Sequence, residues 1–202
     1  MIARIINGFA AGVLISVGAM AYLMNSNKHI GALMFTVALC SICTLDFELF
    51  TGKVCYVDSI QDFGHSAVCL LSNIIGCLTA SKMLDIANPY LRYKAQNLFL
   101  PKLNQEPLQT LFLAVMCGIL MAIAVEVYRR NAGAGKYVGI FLCVTTFIIC
   151  GFEHSVADIA YLFLSGMSIK GNIVSFLICV IFGNMAGGIL MREFWEIGRE
   201  ID

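Results

Sequence analysis

The sequence predicts an all-α membrane protein, with six transmembrane helices arranged as two inverted three-helix repeats and helices 2 and 5 broken. Three observations predict this. First, 59% of the 202 residues are hydrophobic and only 13% are charged, against about 25% charged in a soluble domain. Second, six apolar regions follow one another, and a membrane helix needs ~20 such residues. Third, polar residues interrupt the second and fifth regions at matching places. Residues 1–202 read as a single transmembrane domain: repeat one over about 5–87, a connection over 88–107, and repeat two over about 108–192.

The first apolar region, 5–24, follows Arg4 and is long enough to span, so it reads as a membrane helix and not as a cleaved leader. "NSNK" (25–28) leads into the second region, 30–57, where "TLDFELFTGK" (44–53) sets Asp46, Glu48, a glycine and Lys53 among apolar residues. "DSIQDFGHS" (58–66) precedes the third region, 66–87. The stretch 85–107 holds all three prolines and cannot be a continuous span. The fourth region covers 108–128 and ends at "RRNAGAGK" (129–136). The fifth, 137–165, contains "GFEHS" (151–155) and Asp158, and "SIKGN" (168–172) separates it from the sixth, 172–192.

The two halves resemble each other. Gly12 in "AAGVLISVGA" aligns with Gly118 in "MCGILMAIAV", and Asn73 in "SNIIG" aligns with Asn184 in "GNMAG". Three helices per half is an odd number, so the second copy inserts upside down, as in transporter and channel folds. Backbone freed at a break cannot face lipid, and paired breaks point to a substrate site near the midplane. The small residues Gly8/Gly12, Ser72/Gly76 and Gly183/Gly187 read as helix-packing positions.

Charge excludes some classes. The net charge is zero, so no nucleic-acid partner is expected. Apart from Lys53 inside the second region, the basic residues divide six against six between the two sides, which leaves orientation undecided. The nine cysteines lie mostly in apolar runs and read as small buried residues; Cys40 and Cys43 form a CxxC without a second pair. A membrane redox enzyme with bis-histidine haem needs two intramembrane histidines, and only His154 lies inside an apolar region. A carboxylate-bridged metal site needs two Glu-x-x-His motifs, and none is present. No cofactor, no metal and no enzymatic activity are predicted.

His154 is the central candidate. Ionisable groups inside a membrane are functional by default, and imidazole exchanges a proton near neutral pH. Asp158 follows four residues later and shares its helix face. Glu153 points about 100° away from His154, so it reads as tying down backbone donors at the break.

The motifs "ELFTG" (48–52), "GFEHS" (151–155) and "GN-x-x-GG" (183–188), in this order, resemble the formate/nitrite transporter family over about Ile5–Met191. The resemblance implies an aquaporin-like fold with one pore per protomer, a homopentamer in the cell membrane, and both termini in the cytoplasm. It implies passage of small monovalent anions or their conjugate weak acids, such as formate, nitrite or hydrosulfide, together with protons. His154 takes the place of the family's central histidine, Thr51 that of the loop threonine able to bond it, and Asn184 that of the sixth-span asparagine. Leu39, Phe50 and Val125 would form one apolar constriction, and Phe35 and Phe147 the other, with the anion protonated at His154 between them.

Three positions depart from the family pattern. Asp158 and Ala122 stand where the family usually has asparagine. Glu106 stands where it has an entrance lysine, although Lys102 lies one helical turn away. The extra acid and the displaced cation favour a weakly acidic permeant, or one that enters neutral. The alternative is a neutral-solute channel for ammonia, urea or water. The aquaporin Asn-Pro-Ala is absent, since Asn88-Pro89 is followed by Tyr90 in the connection.

Overall fold

The computed structural model describes residues 1–201; residue 202, which the sequence reading includes in the domain, lies outside the described residues. The described elements are helical: α1 (Ile2–Met24), α2 (Lys28–Thr44), α3 (Phe50–Lys53), a 3-10 turn (Val54–Tyr56), α4 (Ile60–Ala87), α5 (Tyr90–Lys102), α6 (Pro107–Arg130), α7 (Gly135–Ile149), α8 (Ser155–Ser165) and α9 (Gly171–Ile201). By length and composition α1, α4, α6 and α9 can each cross a membrane, while α2, α7 and α8 are shorter apolar helices.

Local chemistry sets several ends. The Asn27 side chain accepts from the backbone N–H groups of His29 and Ile30 and starts α2, and Ser59 accepts from Asp62 N–H and starts α4. Pro107 begins α6, where its missing N–H costs nothing, and Glu106 before it is held extended. Helix α4 thus starts inside the stretch 58–66 that the sequence assigns to a connection.

Helices α2 and α7 end in the same way. Phe47 N–H donates to Ile42 O at 2.9 Å, and Phe152 N–H donates to Phe147 O at 2.9 Å. Each is the six-to-one bond of a Schellman motif, and each requires one left-handed residue. Gly151 supplies it after α7 (φ 69°), whereas Asp46 supplies it after α2 (φ 53°).

The chain continues differently beyond these two ends. After the end of α7, α8 runs for 11 residues. After the end of α2, α3 has four residues and passes into the 3-10 turn, because Ser59 already caps the next helix. Two broken helices, as the sequence predicts, imply a second half after each break, but only α8 is long enough to build an appreciable dipole.

Two helix pairs pack backbone to backbone. A Cβ on Gly12 would lie 2.1 Å from Asn73 O across the α1–α4 contact, and one on Gly118 would lie 2.2 Å from Asn184 O across the α6–α9 contact. Without a side chain at these positions the helices approach closely enough for dispersion contacts to hold them, which water exclusion cannot do in lipid. Much apolar surface still faces outward, including Leu71, Phe112, Leu142 and Phe182.

The proline-containing stretch between the halves is not irregular. It forms α5, with Pro101 in its last turn. Leu91, Ala95 and Phe99 are fully buried, Phe99 meets Phe176 edge-on at 5.7 Å, and Gln96 Nε2 donates to Ser165 O at 2.8 Å. These contacts dock α5 on α8 and carry Lys102 to the site.

Candidate functional site

Two asparagines hold the two interrupted segments. Asn73 on α4 accepts from Phe50 N–H at 2.9 Å through Oδ1, and its Nδ2 donates to Gly8 O and Glu48 O at 2.8 and 2.9 Å. Asn184 on α9 repeats this arrangement. It accepts from Ser155 N–H at 2.8 Å and donates to Ala114 O and Glu153 O, both at 2.8 Å. Each amide therefore binds a carbonyl before the new helix, an N–H at its start, and a carbonyl on a neighbouring helix. Buried backbone groups left by a break need such partners. Asn184 positions backbone; Asn73, which sequence reasoning aligned with it but left out of the candidate set, does the same.

Between these clamps Thr51 Oγ1 and His154 Nε2 lie 2.9 Å apart, both residues being buried. His154 Nδ1 accepts from Ala157 N–H at 3.1 Å and so caps α8. An acceptor nitrogen carries no hydrogen, so this bond assigns the proton of the neutral ring to Nε2, which donates to Thr51. The Phe147 ring stacks on the imidazole, centroids 5.4 Å apart and 14° from parallel, and Phe35 meets Phe147 edge-on at 6.2 Å.

A cavity of about 380 Å³ is lined by Phe35, Phe147, His154 and Asp158, with Lys28 and His29 also on its wall. A second cavity of about 370 Å³ is lined by Leu39, Leu49, Gly52 and Val125, with Asp46 and Arg129 also on its wall. Leu39 and Val125 thus fall on one cavity and Phe35 and Phe147 on the other, whereas Phe50 lines neither. Phe50 is 4% exposed and Thr51 1%, and both start α3.

The charged groups are arranged differently from the sequence reading. The Glu153 carboxylate does not tie down backbone donors, since Asn184 does that. It accepts from Lys102 Nζ and, at 2.8 Å, from Gln105 Nε2. Lys102 also donates to Asp158 Oδ1 at 2.9 Å. Its side chain is only 15% exposed, so it stands as a buried counter-ion and not as a free entrance cation. Glu106 is exposed at the start of α6, and Ala122 is fully buried within α6. Gln105 had no signal in the sequence.

The model of the formate/nitrite transporter family matches residues 1–195. The chain belongs to that family. Among curated relatives, the nitrite transporter NirC of Escherichia coli (strain K12) is 24% identical over 144 residues, covering 65% of this chain and 54% of that protein. The formate-nitrite transporter of Plasmodium ovale is 26% identical over 180 residues, covering 74% and 57%. The chain thus spans about half the length of these two relatives. A solved pentameric formate channel with formate bound superposes with a TM-score of 0.87 at 20% identity, covering 99% of this chain and 97% of that one. The fold is that of these channels, and the chain is an integral membrane protein of a transporter family.

Proposed function

We propose that this family member is a pH-dependent pore for small monovalent anions that cross as their conjugate weak acids. Formate, nitrite and hydrosulfide are the candidate substrates. In this reading α2–α3 and α7–α8 are two broken membrane helices, which with the four long helices make six spans in two inverted repeats. Both termini face the cytoplasm, the protein sits in the cell membrane, and five copies assemble with one pore each.

The observation that carries the reading is the Thr51–His154 hydrogen bond. It joins the starts of α3 and α8; His154 lines the first cavity, and Gly52, next to Thr51, lines the second. An unpaired carboxylate in an apolar neck faces a limiting Born cost of tens of kcal/mol. Protonating an acid of pKa about 4 at pH 7 costs only about 4 kcal/mol. Neutralising the permeant before it passes the aromatic pair is therefore the cheaper route. His154 donates its Nε2 proton to Thr51, which leaves the Thr51 hydroxyl hydrogen free to donate onward. The pair thus offers a hydrogen bond where the permeant has lost its water. The N-terminus of α8, the positive end of its dipole, draws negative charge toward that point.

Stopped-flow uptake into proteoliposomes, comparing formate, nitrite, hydrosulfide and ammonia across pH, tests this. The expected result is uptake of the acids that rises as pH falls and is abolished in assembled His154→Phe. Transport of ammonia alone, or full acid uptake by that variant, would overturn the reading.

A further inference from the structure

The ring of His154 is fully engaged: Nδ1 accepts from Ala157, and Nε2 faces Thr51. Adding a second proton at Nδ1 would set it against the Ala157 N–H and break the cap of α8. The cavity wall holds another acid whose hydrogen bonding is incomplete. Glu153 Oε1 accepts from Gln105, Glu153 Oε2 and Asp158 Oδ1 both accept from Lys102, and Asp158 Oδ2 is buried with no partner among the described residues. Two carboxylates, each 1% exposed, thus share one ammonium.

That cluster carries one uncompensated negative charge, and a buried charge without a partner is expensive. One bound proton makes it neutral. Both Glu153 oxygens have donors that stabilise an anion, so the proton belongs on the oxygen that has none. The groups facing Asp158 do not alter this count. Tyr22 of α1, Tyr161 of α8 and Cys117 of α6 are neutral acids, whereas Lys28 and His29 of α2 lie at exposed positions on the wall of the same cavity.

We propose that Asp158 is the proton donor of the first cavity, passing a proton from Oδ2 to the entering anion before it meets Phe35 and Phe147. The proposal rests on the functional reading above and names the acid that reading requires. The Oδ2–H bond breaks as an O–H or S–H bond forms on the anion, and the Asp158 carboxylate remains paired with Lys102. A proton from water on that side of the membrane then restores Oδ2–H, so one solution proton is consumed for each anion neutralised. Rotation about the broad terminal torsion of aspartate presents either oxygen to the cavity.

Infrared spectra of the reconstituted full chain, recorded at pH values between about 5 and about 9, detect the proton directly. Wild type should show a protonated-carboxyl C=O band that shifts in D₂O, changes frequency in Asp158→Glu and keeps its frequency in Glu153→Asp. Absence of the band from wild type, or a band that moves in Glu153→Asp and not in Asp158→Glu, would each overturn the assignment. If Asp158→Glu does not assemble, the wild-type and Glu153→Asp spectra decide. In proteoliposomes Asp158→Asn should slow acid uptake by on the order of a hundredfold, the usual worth of general acid catalysis, while Asp158→Glu retains it. Wild-type vesicles that move no weak acid at all would defeat the functional reading alone, because the infrared assignment is read without transport.

Discussion

Thr51 Oγ1 and His154 Nε2 lie 2.9 Å apart although 103 residues separate them in the chain. A buried hydrogen bond contributes about 0.5–1.5 kcal/mol net, and an orphaned partner costs about 1–3 kcal/mol. Thr51→Val, which keeps the shape and removes the hydroxyl, should lower weak-acid uptake about tenfold, one decade per ~1.4 kcal/mol. Thr51→Ser should restore most of it. Equal rates for Thr51→Val and wild type in stopped-flow uptake would sever this bond from transport.

Asn184 satisfies three buried backbone groups, as Asn73 does on the other side. Asn184→Leu leaves Ser155 N–H and Glu153 O without this partner at about 1–3 kcal/mol each, and removes a second bond from Ala114 O inside α6. It should therefore fail to yield a folded protein, or should unfold far below wild type in a thermal scan. Asn184→Asp keeps the acceptor but loses both N–H donors, and should lie between the two.

Gly118 permits the contact of α6 with α9, where a Cβ would sit 2.2 Å from Asn184 O. Backbone cannot withdraw as a flexible side chain would. Gly118→Ala should therefore destabilise by about 1–3 kcal/mol or more, the usual cost of overpacking, and displace the Asn184 clamp. Gly135→Ala, at a position with open space, is the control and should be close to neutral by thermal unfolding in detergent.

Asp46 adopts the left-handed backbone that Gly151 adopts at the equivalent helix end. A left-handed conformation costs an L residue roughly 1–2 kcal/mol, part of which aspartate recovers through local hydrogen bonding. Asp46→Gly should be neutral to stabilising by up to about 1 kcal/mol, and Gly151→Ala destabilising by at least about 1 kcal/mol. Chemical denaturation of the two variants checks the opposite signs.

Lys102 is the shared partner of Glu153 and Asp158. Removing one member of a buried ionic cluster costs about 3–5 kcal/mol because the remaining charge is stranded. Lys102→Met should be the most destabilising substitution at the site. Adding Glu153→Gln should recover part of the loss, because the stranded carboxylate is then gone. A double-mutant cycle showing no coupling would contradict the cluster.

Much of this architecture is readable in residue order alone. Apolar runs announce α1, α4, α6 and α9, and the polar residues after Thr44 and Ile149 mark where helices stop. The paired asparagines and glycines announce matching helix contacts. These features answer to one local constraint, that every peptide group near lipid must find a partner close at hand, and a linear pattern records it. The cluster around Asp158 was not readable in this way. Lys102 reaches Glu153 and Asp158 across 51 and 56 residues only because α5, seen from sequence as a proline-bearing connection, folds into a helix and docks on α8. Which charges meet depends on where whole helices settle in space, and no period or spacing along the chain carries that information.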